Sequence, residues 1–316
     1  VLGGVFQFLI QVPSLHKQGM MLRPIFRSGH PGVARVWMLF PPLFLSSSVT
    51  QINIFTNTIL ASFLATGSVT YLFYGMRFIH FPLGIFGVAI STAVLPTLST
   101  QAARQEMHAF RETLSLGIRL LLFVLFPSMI GLIVLRVPIV NLMLEHGQFT
   151  HDSTLGVSTA LLYYAVGIVA FAGVRIISQA FYSLNDVRTP VRAAVVSLVT
   201  SMLLSTVFVL WTPLAHGGLA LATSIAAMAN VGLLTVRLRQ KIGRMDGRRI
   251  FASLAKIVPA SLAMSAIGWW ISQDPIWSTP GSTLLKVQWL VAGMAASVLF
   301  YVGSMALLRS EELSFL

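Results

Sequence analysis

The chain has 316 residues, of which 56% are hydrophobic and only 9% are charged, and its mean hydropathy is +0.83. A water-soluble protein carries about 25% charged residues, so the composition excludes an ordinary soluble domain and predicts a membrane protein. The net charge of +12 does not predict a nucleic-acid partner here, because basic residues beside membrane spans set orientation and meet anionic lipid head groups. The chain has no cysteine, which excludes disulfides, thiolate metal sites and cysteine nucleophiles.

The first apolar run, residues 1–12, is too short to cross a bilayer and lacks the basic start of a signal peptide. We interpret it as the tail of a span cut by the start of the chain, which predicts that this sequence is the C-terminal part of a longer protein. Eight later stretches approach or exceed the roughly 20 apolar residues that a transmembrane helix needs. They cover roughly residues 36–65, 69–97, 114–135, 155–183, 193–211, 218–236, 251–271 and 287–308.

The lysines and arginines in the connections alternate between two sides of the predicted membrane. Fifteen fall on one side, whereas only Arg136 and Lys286 fall on the other. The positive-inside rule places the first set in the cytoplasm. The basic run at 241–249, KIGRMDGRR, is interpreted in the same way, as a topology signal that also meets anionic lipids.

Charged residues are rare within the predicted spans. All nine acidic residues fall in loops or tails, and four basic residues, Arg77, Arg119, Arg175 and Lys256, lie inside spans or near their ends. Arg119 and Lys256 are about one or two turns from a cytoplasmic end, so we expect their side chains to snorkel to the head groups. For Arg175, snorkelling and a position facing a cavity are both open.

Arg77 lies deeper in its predicted helix, where an arginine costs about 2.5 to 3.5 kcal/mol at the centre of a span. Such a residue normally faces a water-filled cavity or a partner, and the predicted spans contain no carboxylate. The counter-charge is therefore expected in an upstream part of the protein or on a ligand. A phosphate suits the planar guanidinium, which donates two parallel hydrogen bonds. The alternative is that Arg77 snorkels outward beside an interfacial belt of Tyr71 and Tyr74.

The surroundings of Arg77 favour a cavity. Pro82 removes a backbone donor and crowds the preceding turn, which predicts a kink one turn after Arg77, as in the discontinuous helices that hold substrates in transporters. His80 lies beside the same helix face. By helical spacing, that face carries Thr70, Tyr74, Arg77, Phe81, Gly84, Val88 and Ser91.

The preceding span is also polar on one face. Ser46, Thr50, Asn53 and Asn57 share that face, and Ser47 and Gln51 flank it. Two interpretations stand equally: hydrogen bonds between helices, as small and amide residues often form in membranes, or a hydrophilic cavity wall opposite Arg77.

Motifs of catalysis are absent from the sequence. It has no phosphate-binding G-x-x-x-x-G-K-[ST], no H-E-x-x-H and no G-x-S-x-G. His80 is the only histidine within a predicted span, and a lone histidine cannot supply a three-ligand metal site. We therefore expect no cofactor and no enzyme activity, and transport across the membrane fits better.

Several long motifs in order resemble the MurJ (MviN) family of bacterial lipid II flippases. They are QINIFTNTILASFLATGSVTYLFYGMRFIHFPLGIFGVAISTAVLPTLS, HGQFT, AFYSLNDVRTPVRAA and HGGLALATSIAAMANVGLL. The resemblance implies an all-α polytopic fold of the multidrug/oligosaccharidyl-lipid/polysaccharide flippase superfamily, with two six-helix lobes and two additional helices. Within it, we expect a truncated helix at 1–12, a basic cytoplasmic loop at 13–35, the second lobe at 36–238, a basic linker at 239–250 and the two additional helices at 251–316, with the N-terminal lobe missing.

The resemblance also implies a function and a site. The expected function is flipping of lipid II across the bacterial inner membrane by alternating access, with its tail in a groove formed by the last two helices; membrane potential and a monovalent cation gradient are both open as energy sources. Arg77 matches the family's second-lobe cavity arginine, whereas Met76 and His80 depart from common acidic or amide residues. The residues expected to bind substrate are Arg77, His80, Thr70, Tyr74, Asn53, Asn57, Gln51 and Arg175.

Three alternatives predict different upstream sequences or cavities. A related exporter of drugs or of another polyprenyl-linked saccharide predicts cation-binding carboxylates upstream. An enzyme that acts on polyprenyl phosphates predicts an acidic or histidine constellation there. A non-transporting membrane scaffold predicts polar stripes without a continuous cavity.

Overall fold

The computed structural model describes residues 2–17, 48–49, 51–278 and 281–315, and all regular structure in these residues is helical. Helix α1 (Leu2–Lys17) belongs to a unit of its own, residues 1–45. The other helices form a second unit, residues 46–316, in which helix α2 occupies residues 51–62. The remaining helices are α3 (Ser68–Pro82), α4 (Val88–Ala103), α5 (Met107–Val134), α6 (Arg136–Leu144), α7 (His151–Ala165), α8 (Ile168–Ser183), α9 (Arg188–Trp211), α10 (His216–Ile242), α11 (Gly247–Ser272) and α12 (Thr283–Leu307).

Seven of the eight predicted spans are present. Six uninterrupted helical segments among the described residues are long and apolar enough to cross a bilayer, and α7 with α8 forms a further span that is bent by 44°. The predicted span 36–65 lies mostly outside the described residues; residues 48–49 and 51–62 within it are helical. Helix α6 was not predicted, because its nine residues are too few to register as a span.

The α3–α4 span is irregular next to the proline in its middle, where the sequence predicts a kink. Immediately after Pro82, five residues, Leu83–Gly87, adopt a π-helical turn before α4 resumes the regular α-helix. A π-helical turn is one of the recognised causes of a kink. The irregular segment lies one turn beyond Arg77, where the sequence placed it.

The bend between α7 and α8 is stabilised by a neighbouring helix. A broken helix leaves backbone carbonyls without their usual partners, and in lipid these must be satisfied internally. The Ser224 hydroxyl of α10 donates to the Tyr163 carbonyl at 2.7 Å. Gly167 at the bend gives this serine room, since a Cβ there would lie 2.6 Å from the Ser224 Oγ.

Three apolar clusters lie between the helices of the larger unit. The main one includes the fully buried Phe110, Leu161 and Phe181, from α5, α7 and α8. A second cluster joins α5 to α11 and α12 and includes Phe123 and Tyr301, whose hydroxyl donates to the Phe123 carbonyl at 2.7 Å. The last two helices therefore pack directly on α5.

The structure corrects the predicted surroundings of Arg119 and adds a contact for Lys256. Arg119 does not snorkel: it is only 7% exposed and pairs with Glu311 and Glu312 at 2.9 and 3.0 Å. The Lys256 ammonium donates to the backbone carbonyl of Arg309 at 3.2 Å, and its contact with head groups stays a prediction. Glu112 and Asp152 lie within the first two turns of α5 and α7, so these two spans begin earlier than predicted and include an acid near the end. The tail that carries Glu311 and Glu312 folds back onto the helix ends.

Close contact between α3 and α7 depends on Gly75. A Cβ at this position would lie 3.0 Å from the Ala160 Cβ and 3.2 Å from the Leu161 backbone nitrogen. Close approach of helices through small residues is the usual mode of packing in membranes.

We predict that Gly75→Ala destabilises the protein by about 1 to 3 kcal/mol, because the helix backbones must move apart. Thermal unfolding in detergent measures the effect. Gly232→Ala in α10 is the matched control, since a Cβ there meets no atom within 4 Å, and alanine favours the helix. Equal unfolding temperatures for the two variants would contradict the prediction.

Candidate functional site

A cavity of about 570 Å³ with a mostly apolar lining lies among α2, the α3–α4 span, α8, α9 and α10. Its polar lining combines two side chains that carry or can carry positive charge with amides and hydroxyls. No Asp or Glu of the described residues lines it. The polar lining residues are Asn53, His80, Arg175, Ser197, Ser201, Thr223 and Asn230.

The α3–α4 span contributes to the cavity through His80 and through the π-helical turn. Met76, His80, Gly84 and Val88 line the cavity, so Gly84 and Val88 of the predicted stripe do face it. Arg77 lies on the neighbouring face, because successive residues of a helix are about 100° apart.

Arg77 is exposed beside the cavity. Its guanidinium carbon lies 5.0 Å from the centroid of the Phe73 ring, a cation–π geometry. His80 is within electrostatic range of both Arg77 and Arg175. We call Arg77, His80 and Arg175 the basic group; His80 and Arg175 line the cavity, whereas Arg77 does not.

The two asparagines of α2 have different surroundings. Asn57 is buried; it accepts a hydrogen bond from the Ser205 hydroxyl at 3.2 Å and donates to the Thr223 hydroxyl at 3.1 Å. The helix-to-helix interpretation therefore applies to Asn57, which joins α2 to α9 and α10. Asn53 lines the cavity and accepts from the Asn57 amide at 3.3 Å.

The remaining predicted site residues lie away from the lining. Thr70 and Gln51 are exposed, and Tyr74 is half-buried with its ring edge-on to Phe149 at 6.2 Å. Ser46, Ser47 and Thr50 lie outside the described residues. The structure thus brings Asn53, His80 and Arg175 together at the cavity and leaves Arg77 at its edge.

Two cavity residues were missed by the sequence reasoning. Ser201 and Asn230 are 1% and 9% exposed and line the cavity. The Ser201 Oγ and the Asn230 Oδ1 have no hydrogen-bond partner among the described residues. Ser197, Ser201 and Ser205 recur every four residues on one face of α9, a signal that the sequence carries.

The chemistry of the cavity suits an anionic, polyhydroxylated ligand. Arginines bind phosphate oxygens strongly, and amides and hydroxyls exchange hydrogen bonds with sugars or peptides. Among the described residues, no group of three His, Asp or Glu side chains is placed to hold a metal ion.

Comparison with known proteins identifies the family. Residues 1–288 match the family model described as "Lipid II flippase MurJ". The chain belongs to this family. It is 38% identical over 233 residues to a probable lipid II flippase MurJ of Vibrio cholerae, covering 74% of this chain and 44% of the relative.

Two further MurJ proteins match nearly the whole chain. A probable lipid II flippase MurJ of Haemophilus influenzae is 30% identical over 313 residues, or 97% of this chain and 61% of the relative. A solved structure described as lipid II flippase MurJ in an inward closed conformation superposes with a TM-score of 0.73 at 26% identity, covering 98% of this chain and 61% of that one. The chain therefore spans about half of the length of these MurJ relatives, and its fold is MurJ-like.

A second polar cluster lies on the predicted outer side, where α6 meets α7 and α12. The Glu145 carboxylate accepts hydrogen bonds from Thr154 at 2.6 Å and Asn141 at 2.7 Å, and it pairs with His151 at 3.2 Å. Lys286, which the sequence placed in an outer connection, is 6% exposed and donates to the Asn141 Oδ1 at 3.0 Å. The cluster ties the short helix α6 to its neighbours.

Acid should weaken this cluster. Partial burial opposes ionisation of Glu145, but the hydrogen bonds from Thr154, His151 and Asn141 outweigh it and lower the pKa of the carboxyl below 4.5. Because the pKa of Glu145 is lower in the folded state than in the unfolded state, its ionised form stabilises the fold. This stabilisation is complete above the unfolded-state pKa and is lost as the pH falls through the folded-state pKa.

We predict that the unfolding temperature decreases as the pH is lowered past about 4.5. The Glu145→Gln variant should show a smaller decrease. Thermal unfolding in detergent across that range measures it. Glu106→Gln, at an exposed acid, is the control and should leave the pH profile unchanged. A Glu145→Gln profile that parallels the unaltered chain would contradict the assignment.

Proposed function

We propose that this chain is the C-terminal part of a flippase that moves lipid II from the inner to the outer leaflet of the bacterial inner membrane. The observation that carries the proposal is a cavity with basic and hydroxyl or amide lining, in a chain of the lipid II flippase MurJ family. Among the described residues, the lining includes no carboxylate that would repel a pyrophosphate. The whole protein would form two lobes, with 36–238 as the second.

In this proposal the basic group holds the pyrophosphate. Arg77 at the cavity edge and Arg175 in the lining would each donate paired hydrogen bonds to phosphate oxygens. The Phe73 ring under Arg77 holds the guanidinium in place without neutralising its charge. Both arginines thus remain charged toward the ligand.

The hydroxyl and amide side of the cavity would receive the saccharide and peptide. Ser201 and Asn230 line the cavity. The Ser201 Oγ and the Asn230 Oδ1 have no hydrogen-bond partner among the described residues. Leaving such buried groups unpaired costs about 1 to 3 kcal/mol each, so a ligand or water that supplies the missing hydrogen bonds is favoured. Binding through a few such contacts is weak enough for release on the outer side.

The step across the membrane would be alternating access. The two lobes would rock around a site near the middle of the bilayer, as in transporters built from repeats. The polyprenyl tail would stay in lipid along α11 and α12, whose outward side chains are large and apolar, including Phe251 and Leu299. Met76 lines the cavity, and its uncharged side chain offers no carboxylate to a cation. We therefore propose that any coupling cation binds elsewhere in the whole protein. We propose no catalytic step.

Replacing the basic residues tests the proposal in the full-length protein. Arg77→Ala and Arg175→Ala should each lower the amount of lipid II exposed on the outer surface by about tenfold or more, since a hydrogen bond to a charged group contributes about 1.5 to 3 kcal/mol. Arg77→Lys should retain part of the activity, because lysine keeps the charge but loses the planar fork. Arg237→Ala is the control: it removes one exposed cation outside the cavity lining.

Undiminished lipid II exposure in both alanine variants, at normal protein levels, would contradict the proposed site. Loss of lipid II exposure with retained export of another polyprenyl-linked saccharide or a drug would instead identify a related exporter.

A further inference from the structure

The tail after α12 turns back onto the helix bundle. Arg309 has a positive φ of 46°, a left-handed conformation that reverses the chain, and its amide donates to the Ala306 carbonyl at 3.0 Å. A short 3₁₀-helix, Glu311–Phe315, follows. We call residues 309–315 the C-terminal strap; they lie beyond the residues that match the family model.

The strap carries a carboxylate that is buried almost completely. Glu312 is 2% exposed, and the Arg119 guanidinium of α5 pairs with it at 3.0 Å. The Ser310 hydroxyl donates to one oxygen of Glu312 at 2.5 Å, and the Ser253 hydroxyl of α11 donates to the other. The charge is thus satisfied by groups from α5, α11 and the strap itself.

The neighbouring Glu311 differs sharply in its surroundings. It pairs with the same Arg119 nitrogen at 2.9 Å, but 70% of its side chain is exposed. An exposed pair contributes little, because water and salt screen it. A buried pair is different: removal of one partner leaves an uncompensated charge away from water, which is strongly unfavourable.

Two further contacts attach the strap to the same helices. The Lys256 ammonium of α11 donates to the Arg309 carbonyl, and Leu313 packs against the apolar cluster that joins α5, α11 and α12. If Arg119 and Glu312 separate, each charge must either move into water or stay buried without a partner. The strap should therefore dock or leave as one unit.

We propose that the C-terminal strap is a latch that fixes the α11–α12 pair on α5, with the Arg119–Glu312 ion pair as its fastening. With the latch closed, α11 and α12 move with α5 as one body. With the latch open, the helix pair changes position relative to α5. This inference does not depend on which lipid is transported.

Cysteine labelling measures docking of the strap, and the chain has no native cysteine to interfere. Leu313→Cys in the full chain, in inside-out membrane vesicles, places one thiol in the packed face of the strap. Its reaction with a water-soluble maleimide should be slow. Adding Glu312→Gln should speed labelling by about tenfold or more, whereas Glu311→Gln should change it by less than about fivefold.

A double variant separates release of the latch from general damage. Arg119→Met with Glu312→Leu removes both charges, and buried ion pairs replaced by apolar residues are often as stable. Labelling of this variant should return to the slow rate. The apolar pair takes over the fastening, so this variant should label more slowly than Glu312→Gln, which leaves Arg119 without its buried partner. If Glu312→Gln labels as slowly as Glu311→Gln, the ion pair is not the fastening and the proposal is wrong.

The coupling of the helices is measured by the distance between two spin labels, at Glu112→Cys on α5 and Gly303→Cys on α12. Glu112 is exposed, and Gly303 has open space around it. We expect one narrow distance distribution with the latch intact and a broader or shifted one with Glu312→Gln, but not with Glu311→Gln. An unchanged distribution in the Glu312→Gln variant would overturn the latch. Neither measurement uses lipid II. Both therefore test the latch even if the proposed function is wrong.

Discussion

A charge in a lipid-facing helix must find water, a partner or a ligand, and the architecture of this chain follows from how each basic residue meets that demand. Arg119 uses carboxylates that the tail brings back to α5. Lys286 uses the Asn141 amide on the predicted outer side. Arg175 lines the cavity, and Arg77 rests on the Phe73 ring at its edge. The first two solutions are internal to the protein, whereas the last two leave positive charge available.

This division separates structural cations from candidate binding cations. An arginine neutralised by two carboxylates has little left to offer a ligand, and its pairing instead fixes the position of helices. Arg77 and Arg175 form no ion pair with any described residue, and both interact with His80. These two arginines are the ones that we propose to bind the ligand.

Two of the spans that contribute to the cavity are irregular helices. The α3–α4 span contains a π-helical turn at Leu83–Gly87, and the α7–α8 span is bent at Gly167. The backbone groups released by such breaks are satisfied locally, as by Ser224, so the irregularities can persist at membrane depth. Asn57 then ties α2 to the opposite wall.

The sequence by itself determined the helical class, seven of the described spans, the irregularity after Pro82 and the family, because apolar length, proline and long ordered motifs are local properties of the chain. It also indicated His80, Asn53 and Arg175 as cavity residues. Only the tertiary structure decided that Asn57 is a packing residue, that Ser201 and Asn230 belong to the lining, and that Arg77 stands at the edge. It alone paired Arg119 with Glu312, which are 193 residues apart. Hydropathy and spacing report which face of one helix a residue occupies, but not which distant helix or tail meets that face.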